Sequence, residues 1–122
     1  MRAQLVLAAL WGLMAVAAGA FGAHAASDPQ AKGWLQTGAQ YQLAHALAVF
    51  ACLAVQRAYA GAPAASLAAW LFVVGALVFG GSLYLMALTG VRALGAVTPI
   101  GGVLLLAGWA TLAWAVFRGA RS

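Results

Sequence analysis

The two histidines of the chain are the side chains best suited to proton transfer or metal ligation. His24 stands near the end of the first apolar stretch, and His45 stands near the start of the second. At about 1.5 Å of helix rise per residue, both are expected within roughly 10 Å of one membrane boundary. They could hold a haem iron or a metal ion, bind an organic ligand or a proton, or form structural hydrogen bonds. The sequence leaves these three alternatives open.

Four other polar residues are expected at the same end of the protein. Tyr41 and Gln42 lie about one turn before His45. Tyr84 and Arg92 lie on either side of the turn between the third and fourth apolar stretches, which we call the third connection. Polar groups inside apolar spans are costly, so they tend to mark functional or internally satisfied sites. The predicted ligand-binding residues are therefore His24, Tyr41, Gln42, His45, Tyr84 and Arg92.

The third connection also predicts local geometry. We expect the Tyr84 ring to lie over Gly80 of its own helix, with the hydroxyl directed toward Thr89 or Arg92. Thr98 is expected to cap the next helix, which would make the loop before it rigid. Arg92 could bind a lipid phosphate or a substrate carboxylate, or could be a simple surface arginine.

The scarcity of acids and cysteines excludes several kinds of site. Asp and Glu together number 1, which excludes paired-carboxylate catalysis and carboxylate-built calcium or two-metal sites. The 1 cysteine excludes an internal disulfide and a cysteine-cluster zinc site. Cys52 lies about 10 Å from His45 along a helix axis, so it is expected to fill core space. We expect no enzymatic activity and no resident cofactor, with haem or copper left open.

Composition predicts an integral membrane protein. Hydrophobic residues make up 66% of the 122 residues and charged residues 6%, whereas a soluble domain is about 25% charged. Apolar stretches at about 5–26, 39–55, 67–88 and 94–117 approach or exceed the roughly 20 residues that a spanning helix needs. Ala and Leu dominate without two-residue alternation, which disfavours strands. The predicted fold is an all-α bundle of four transmembrane helices in one domain, 1–122.

The connections and the basic residues set the expected topology. Polar breaks are expected at 27–33 and 61–63, Ser66 could cap helix three, and 89–92 forms a tight turn. Residues 1–27 also fit a cleavable signal, but their apolar run exceeds the usual length of about 7–15 residues, which favours a retained helix.

The positive-inside rule favours cytoplasmic termini. The expected cytoplasmic side carries Arg2, Arg57, Arg118 and Arg121, against Lys32 and Arg92 on the other side. These charges stand singly, so no nucleic-acid surface is predicted.

Small and aromatic residues predict how the helices pack. Small residues let helices approach closely in lipid, and tryptophans usually anchor spans at the membrane interface. His24 lies about 160° from the small-residue face of helix one and could contact another protein. The predicted packing residues are Ala8, Gly12, Ala15, Gly19, Gly22, Ala26, Gly80, Gly81, Gly101 and Gly102. Interface anchoring is expected to explain most of the five tryptophans, which lie mainly toward span ends: Trp11, Trp34, Trp70, Trp109 and Trp114.

Five motifs carry a resemblance that spans nearly the whole chain. They are GAFGAHA at 19–25, YQLAHAL at 41–47, GSLY at 81–84, LTGVR at 88–92 and TPIGG at 98–102. Together they resemble the small membrane-protein family called domain of unknown function 423, which includes transmembrane protein 256. The resemblance implies a small multi-span protein of the bacterial inner membrane or an organelle membrane, and it implies no particular activity.

The functional expectation follows from the sparse chemistry and short connections. We expect a non-enzymatic accessory, assembly or structural component whose partners are the lipid bilayer and a larger membrane complex. The first alternative is a small transporter or a lipid- or quinone-binding protein with its site around His24, His45, Tyr84 and Arg92. The second is a haem or copper protein that uses both histidines. The expected location is the bacterial inner membrane.

Overall fold

The computed structural model describes residues 1–59 and 63–121, and this part of the chain forms an all-α bundle. Four helices are long and apolar enough to cross a membrane, which confirms the predicted fold class. A short 3₁₀ turn, Arg92–Ala96, precedes the last of them. The helices are α1 (Arg2–His24), α2 (Pro29–Ala58), α3 (Pro63–Thr89) and α4 (Thr98–Arg121).

Helix α2 begins at Pro29 instead of near the predicted residue 39. Asp28 has extended backbone angles, and its carboxylate accepts the Gln30 N–H at 3.2 Å, so it caps the helix directly before a proline at the first position. Lys32 and Gly33, predicted to be part of a polar break, therefore lie inside α2. The apolar stretch marks where α2 enters the hydrocarbon, whereas the helix itself starts in the polar segment. At 30 residues, α2 is about 45 Å long.

The ends of α3 also depend on local chemistry. Ser66 does not cap α3, because the helix already begins at Pro63 and the Ser66 hydroxyl donates to the side-chain oxygen of Gln4 of α1 at 2.9 Å. Residues 61 and 62 of the predicted break lie outside the described residues. Gly90 ends α3 with a φ of 74°, a conformation that glycine adopts without steric cost. Helix α4 begins at Thr98, so Thr98 is its first helical residue, and its hydroxyl pairs with the Ser82 hydroxyl of α3 at 2.6 Å instead of capping α4 as predicted.

The helices pack in the order of the chain. Helix α1 lies mainly against α2, α2 against α3, and α3 against α4. Over the residues that the structure describes, α1 does not pack against α4, and α2 touches α4 only slightly. Phe72, Val49 and Cys52 are fully buried in the core that this arrangement encloses. Because α2 and α4 both rest on α3 without closing on each other, a crevice is left between them.

The small residues of α1 face α2. Ala8, Ala15 and Gly22 are buried, and the other predicted members of the stripe are half-buried. A Cβ atom built on Gly19 would lie 3.6 Å from the Cβ atom of Ala39, and one on Gly22 would lie 3.1 Å from that of Leu35. A Cβ atom on Gly12 would meet nothing within 4 Å. The close approach of α1 and α2 is therefore confined to the second half of α1.

The predicted glycines of α3 and α4 differ in how tightly they are packed. A Cβ atom on Gly101 would lie 2.7 Å from the Cα atom of Phe79, so only glycine fits there. A Cβ atom on Gly80 would make an ordinary contact of 3.6 Å with Gln42. For Gly81 and Gly102 the nearest atom would be 3.9 Å away. Among the four, Gly101 alone marks a point where the backbones of two helices nearly touch.

Candidate ligand-binding crevice

His45 lies close to the midpoint of α2, and its side chain is only 7% exposed. At about 1.5 Å per residue, both ends of the helix are roughly 20 Å away. The sequence predicts His45 about six residues into helix two, but α2 starts ten residues earlier than predicted, so the imidazole lies near the middle of the bundle. A polar ring at that depth must be satisfied by neighbouring protein groups.

Two hydrogen bonds fix the protonation and orientation of this imidazole. Nε2 of His45 accepts the indole Nε1–H of Trp109 at 3.0 Å. An indole nitrogen can only donate, so Nε2 carries no proton. Nδ1 of His45 therefore carries the proton of a neutral ring and donates it to the backbone carbonyl of Tyr41, at 2.6 Å. The pair joins the middle of α2 to the middle of α4.

Aromatic rings enclose the hydrogen-bonded pair. The His45 ring centroid lies 5.6 Å from that of Phe72 and 5.8 Å from that of Trp109. The Tyr41 ring is nearly parallel to the imidazole, with 7° between the planes and 6.1 Å between the centroids. Phe79 of α3 contacts Tyr41 with 4.7 Å between centroids. Such contacts favour one ring orientation, so the imidazole is held in place from several sides.

The crevice between α2 and α4 has a volume of about 480 Å³ and lies over α3. Tyr41 is 45% exposed, Trp109 47% and Leu106 71%, so the crevice opens sideways on a surface that faces lipid in a bilayer. Small-molecule sites typically enclose about 300–1,000 Å³. The lining carries no charged side chain and consists of Tyr41, His45, Phe79, Pro99, Gly102, Leu105, Leu106 and Trp109.

Gln42 and Tyr84 form a second polar contact, which does not line the crevice. The Tyr84 hydroxyl donates to the Gln42 side-chain oxygen at 2.7 Å. The Gln42 amide nitrogen donates to the Met14 sulfur of α1 at 3.3 Å. Gln42 is fully buried. These contacts satisfy the amide between three helices and give it a structural role.

The position of Tyr84 corrects the predicted geometry of the third connection. Its ring lies against Gly38 of α2, where an added Cβ atom would be 2.6 Å from Cε1 of the ring. A Cβ atom on Gly80 would be 3.7 Å from the same ring, so the ring lies beside Gly80 as well as against Gly38. The hydroxyl points to Gln42 and not to the loop, because tyrosines in helices lean toward the helix N-terminus.

His24 and Arg92 lie at the membrane-boundary end of the bundle and are both exposed. Arg92 donates to the Gln30 side-chain oxygen at 2.6 Å, which joins the third connection to the start of α2. Because His24 ends α1 and His45 lies at mid-depth, the two histidines do not form one site. No group of three or more His, Cys, Asp or Glu side chains in the described residues is placed to hold a metal ion. The six predicted site residues thus separate into a crevice pair, an interior pair and a surface pair.

Two tryptophans are exceptions to interface anchoring, which was expected for most of the five. Trp109 lies near the midpoint of α4 and contacts His45. Trp11 lies near the middle of α1, and its indole N–H donates to the Val73 carbonyl of α3 at 2.9 Å. A tryptophan far from both ends of an apolar stretch is poorly placed for anchoring, and that signal is present in the sequence.

Comparison with known proteins places the chain in a family. A family model described as "Protein of unknown function (DUF423)" matches residues 18–102, a range that includes all five sequence motifs. The chain belongs to the DUF423 family. Its relatives are named as membrane or inner membrane proteins, so it is a membrane protein of this family.

Several relatives in this family align over most of their length. UPF0382 membrane protein YwdK of Bacillus subtilis is 38% identical over 112 residues, which cover 89% of this chain and 91% of the relative. UPF0382 inner membrane protein YgdD of Escherichia coli is 40% identical over 121 residues, which cover 91% of this chain and 86% of the relative. UPF0382 membrane protein SH2409 of Staphylococcus haemolyticus is 39% identical over 124 residues, which cover 97% of this chain and 98% of the relative. No solved structure matches the chain.

Proposed function

We propose that this protein binds a lipophilic molecule that enters the crevice sideways from the bilayer. The observation that carries the proposal is the Trp109–His45 hydrogen bond in the crevice wall, at the middle depth of the bundle. A pocket lined by apolar and aromatic groups with one or two oriented polar atoms is the usual form of a small-molecule site. This is the ligand-binding alternative predicted from the sequence, with Tyr41 and His45 retained and His24, Tyr84 and Arg92 removed from the site.

The depth and composition of the crevice favour a bilayer-soluble ligand. Its rim is formed by Tyr41, Leu106 and Trp109, whose side chains are accessible from the lipid-facing surface. A ligand that arrives from water would have to cross a headgroup layer and part of the hydrocarbon before reaching His45. A lipophilic ligand already partitions into the hydrocarbon, so it reaches the crevice by lateral diffusion in the membrane.

The rest of the proposal concerns orientation and setting. The protein acts without catalysis in the bacterial inner membrane, with both termini in the cytoplasm and the bilayer as its main partner. The distribution of basic residues supports this orientation, since most of them flank the termini and the second connection. No nucleic acid is bound, because the basic residues form no continuous surface in the sequence.

The accessory-subunit alternative rests on a different surface. The small residues of α1 pack against α2 and leave no close-packing face for a partner protein there. What supports this alternative is the outer face of α1, where Leu13 and Val16 are exposed. Purification in mild detergent from native membranes tests it. A defined partner recovered in fixed proportion, and lost in a Leu13→Ala/Val16→Ala variant, would favour the accessory role.

Photolabelling in nanodiscs of phosphatidylcholine tests the binding proposal. The probe is a long-chain alkane that carries a diazirine, and mass spectrometry maps the adducts. Labelling of Tyr41 should be strong in the unmodified protein. Leu106→Trp should fill the crevice and reduce the yield on Tyr41 by about fivefold or more, since occupied volume excludes the ligand. Leu13→Trp is the matched control, because Leu13 is 70% exposed on α1, away from the crevice.

Two results would contradict the binding proposal. One is a Tyr41 yield that is the same in Leu106→Trp and Leu13→Trp. The other is labelling spread evenly over the outward faces of all four helices, because that pattern describes lipid contact without a site.

A further inference from the structure

We infer that the ligand of the crevice is a neutral lipid whose polar group is a single hydroxyl, such as a long-chain or polyprenyl alcohol. The inference rests on the proposed function and adds the chemistry of the headgroup. The decisive geometry is that the crevice wall presents a donor, the Trp109 indole N–H, directly beside an acceptor, Nε2 of His45. Both belong to residues that line the crevice.

A hydroxyl is the simplest group that satisfies both atoms at once. Its oxygen accepts the Trp109 N–H, and its proton is donated to Nε2 of His45. The acceptor role of Nε2 is fixed, because the Nδ1 proton is directed to the Tyr41 carbonyl at 2.6 Å. In the ligand-free protein these two atoms bond to each other at 3.0 Å. The ligand hydroxyl inserts between them as the two rings move apart and replaces one hydrogen bond with two, so neither atom of the pair is left unpaired in the hydrocarbon.

Other headgroups fit this pair less well. A carbonyl or an ether accepts from Trp109 but cannot donate, so Nε2 of His45 would lose its partner in an apolar environment. A carboxylate or phosphate would place a charge at mid-depth in a crevice whose lining has no cation. The basic residues Lys32 and Arg92 lie at the ends of helices, Lys32 near the start of α2 and Arg92 before α4, and therefore toward the membrane boundary.

The surrounding rings are compatible with this class of lipid. Phe79, Leu105 and Leu106 provide apolar walls for a hydrocarbon tail, while His45 and Trp109 lie together in the wall of the same crevice. The polar group of the ligand would thus meet the pair at mid-depth, and the tail would lie along the crevice beside Tyr41. A lipid with a large charged headgroup stays at the interface and cannot reach this depth.

Three matched probes test the inference in nanodiscs that contain the full chain. They are a diazirine-bearing long-chain alcohol, its methyl ether and the corresponding alkane. The readout is the probe concentration at half-saturation of Tyr41 labelling. The alcohol should reach half-saturation at a concentration about tenfold lower than the ether or the alkane, which corresponds to one net hydrogen bond. The analogous carboxylate should label no better than the alkane.

Substitutions at His45 identify the atom responsible. His45→Leu removes the acceptor, so the preference for alcohol over ether should disappear while alkane labelling persists. His45→Gln restores an acceptor oxygen and should retain most of the preference. If His45→Leu does not fold, the comparison of alcohol and ether in the unmodified protein decides alone.

The outcomes separate this inference from the binding proposal. Equal half-saturation for alcohol, ether and alkane, with labelling still confined to the crevice, overturns the hydroxyl assignment and leaves lipophilic binding intact. The absence of crevice labelling by every probe overturns both proposals.

Discussion

Trp109 and His45 lie at the midpoints of α4 and α2, and a 3.0 Å hydrogen bond joins them across the open side of the bundle. Since α2 and α4 otherwise touch only slightly, this bond is the main polar link between the two helices in the described part of the chain. In the ligand-free protein it sets the distance between the two rings, and it supplies polar atoms to the crevice wall.

Trp109→Phe should destabilise the protein by about 1–2 kcal/mol, because Nε2 of His45 loses its donor in an apolar setting. The phenyl ring preserves much of the packing against Phe72. Unfolding by SDS titration in mixed micelles measures the change. Trp114→Phe is the control, since Trp114 is exposed and stacks on Phe117 and Arg118 near the end of α4; its effect should be about 0.5 kcal/mol or less. Equal effects would show that the hydrogen bond contributes nothing.

Gly101→Ala should destabilise the bundle by about 1–3 kcal/mol, because the added methyl group meets the Phe79 backbone, which cannot move aside as a side chain can. Gly102→Ala, one residue further, should change stability by no more than about 1 kcal/mol and could increase it through helix propensity. Thermal unfolding in detergent compares the two. A similar loss in both variants would contradict the close approach of α3 and α4 at Gly101.

Gly19→Leu should lower the thermal stability in detergent more than Ala17→Leu. The leucine at position 19 would separate α1 from Ala39 of α2, whereas Ala17 faces outward and is exposed. The expected difference is about 1–3 kcal/mol, typical of overpacking. If Ala17→Leu were the more damaging change, α1 would be packed through its opposite face.

Cysteine accessibility tests the orientation in the membrane. A membrane-impermeant maleimide should label Ser27→Cys in intact cells, and it should label Ala58→Cys only after the cells are opened, since the excess of basic residues predicts a cytoplasmic second connection. Cys52 is fully buried and gives no background. The reverse pattern would invert the bundle, and labelling of both sites from outside would show that α2 does not span.

The fold class could be predicted from the sequence because it depends on the lengths of apolar stretches, and each of them is a property of one segment. The start of α2 was missed although Asp28 followed by Pro29 is a strong helix start, because polarity was interpreted as a break in structure. Polarity shows where a helix leaves the hydrocarbon and says little about where its hydrogen bonds begin.

The candidate site was harder to predict because it depends on how two helices are rotated about their axes. His45 and Tyr41 share one face of α2, which spacing alone indicates, but the choice of Trp109 as partner depends on the contact of α4 with α3. The sequence predicts that the Tyr84 ring packs on Gly80 of its own helix. Its main contact is Gly38, which belongs to another segment. Contacts between distant segments leave no periodic signal in a single sequence.

The packing of helices in chain order has a consequence for biogenesis. Each helix rests mainly on the one synthesised immediately before it, so α1 and α2 can form a hairpin before α3 leaves the translocation machinery, and α4 can complete the structure last. Contacts between near neighbours in sequence form quickly, and proteins emerge and fold from the N-terminus. Because α4 contributes five of the eight residues that line the crevice, the crevice does not exist in a nascent chain until the last helix has inserted.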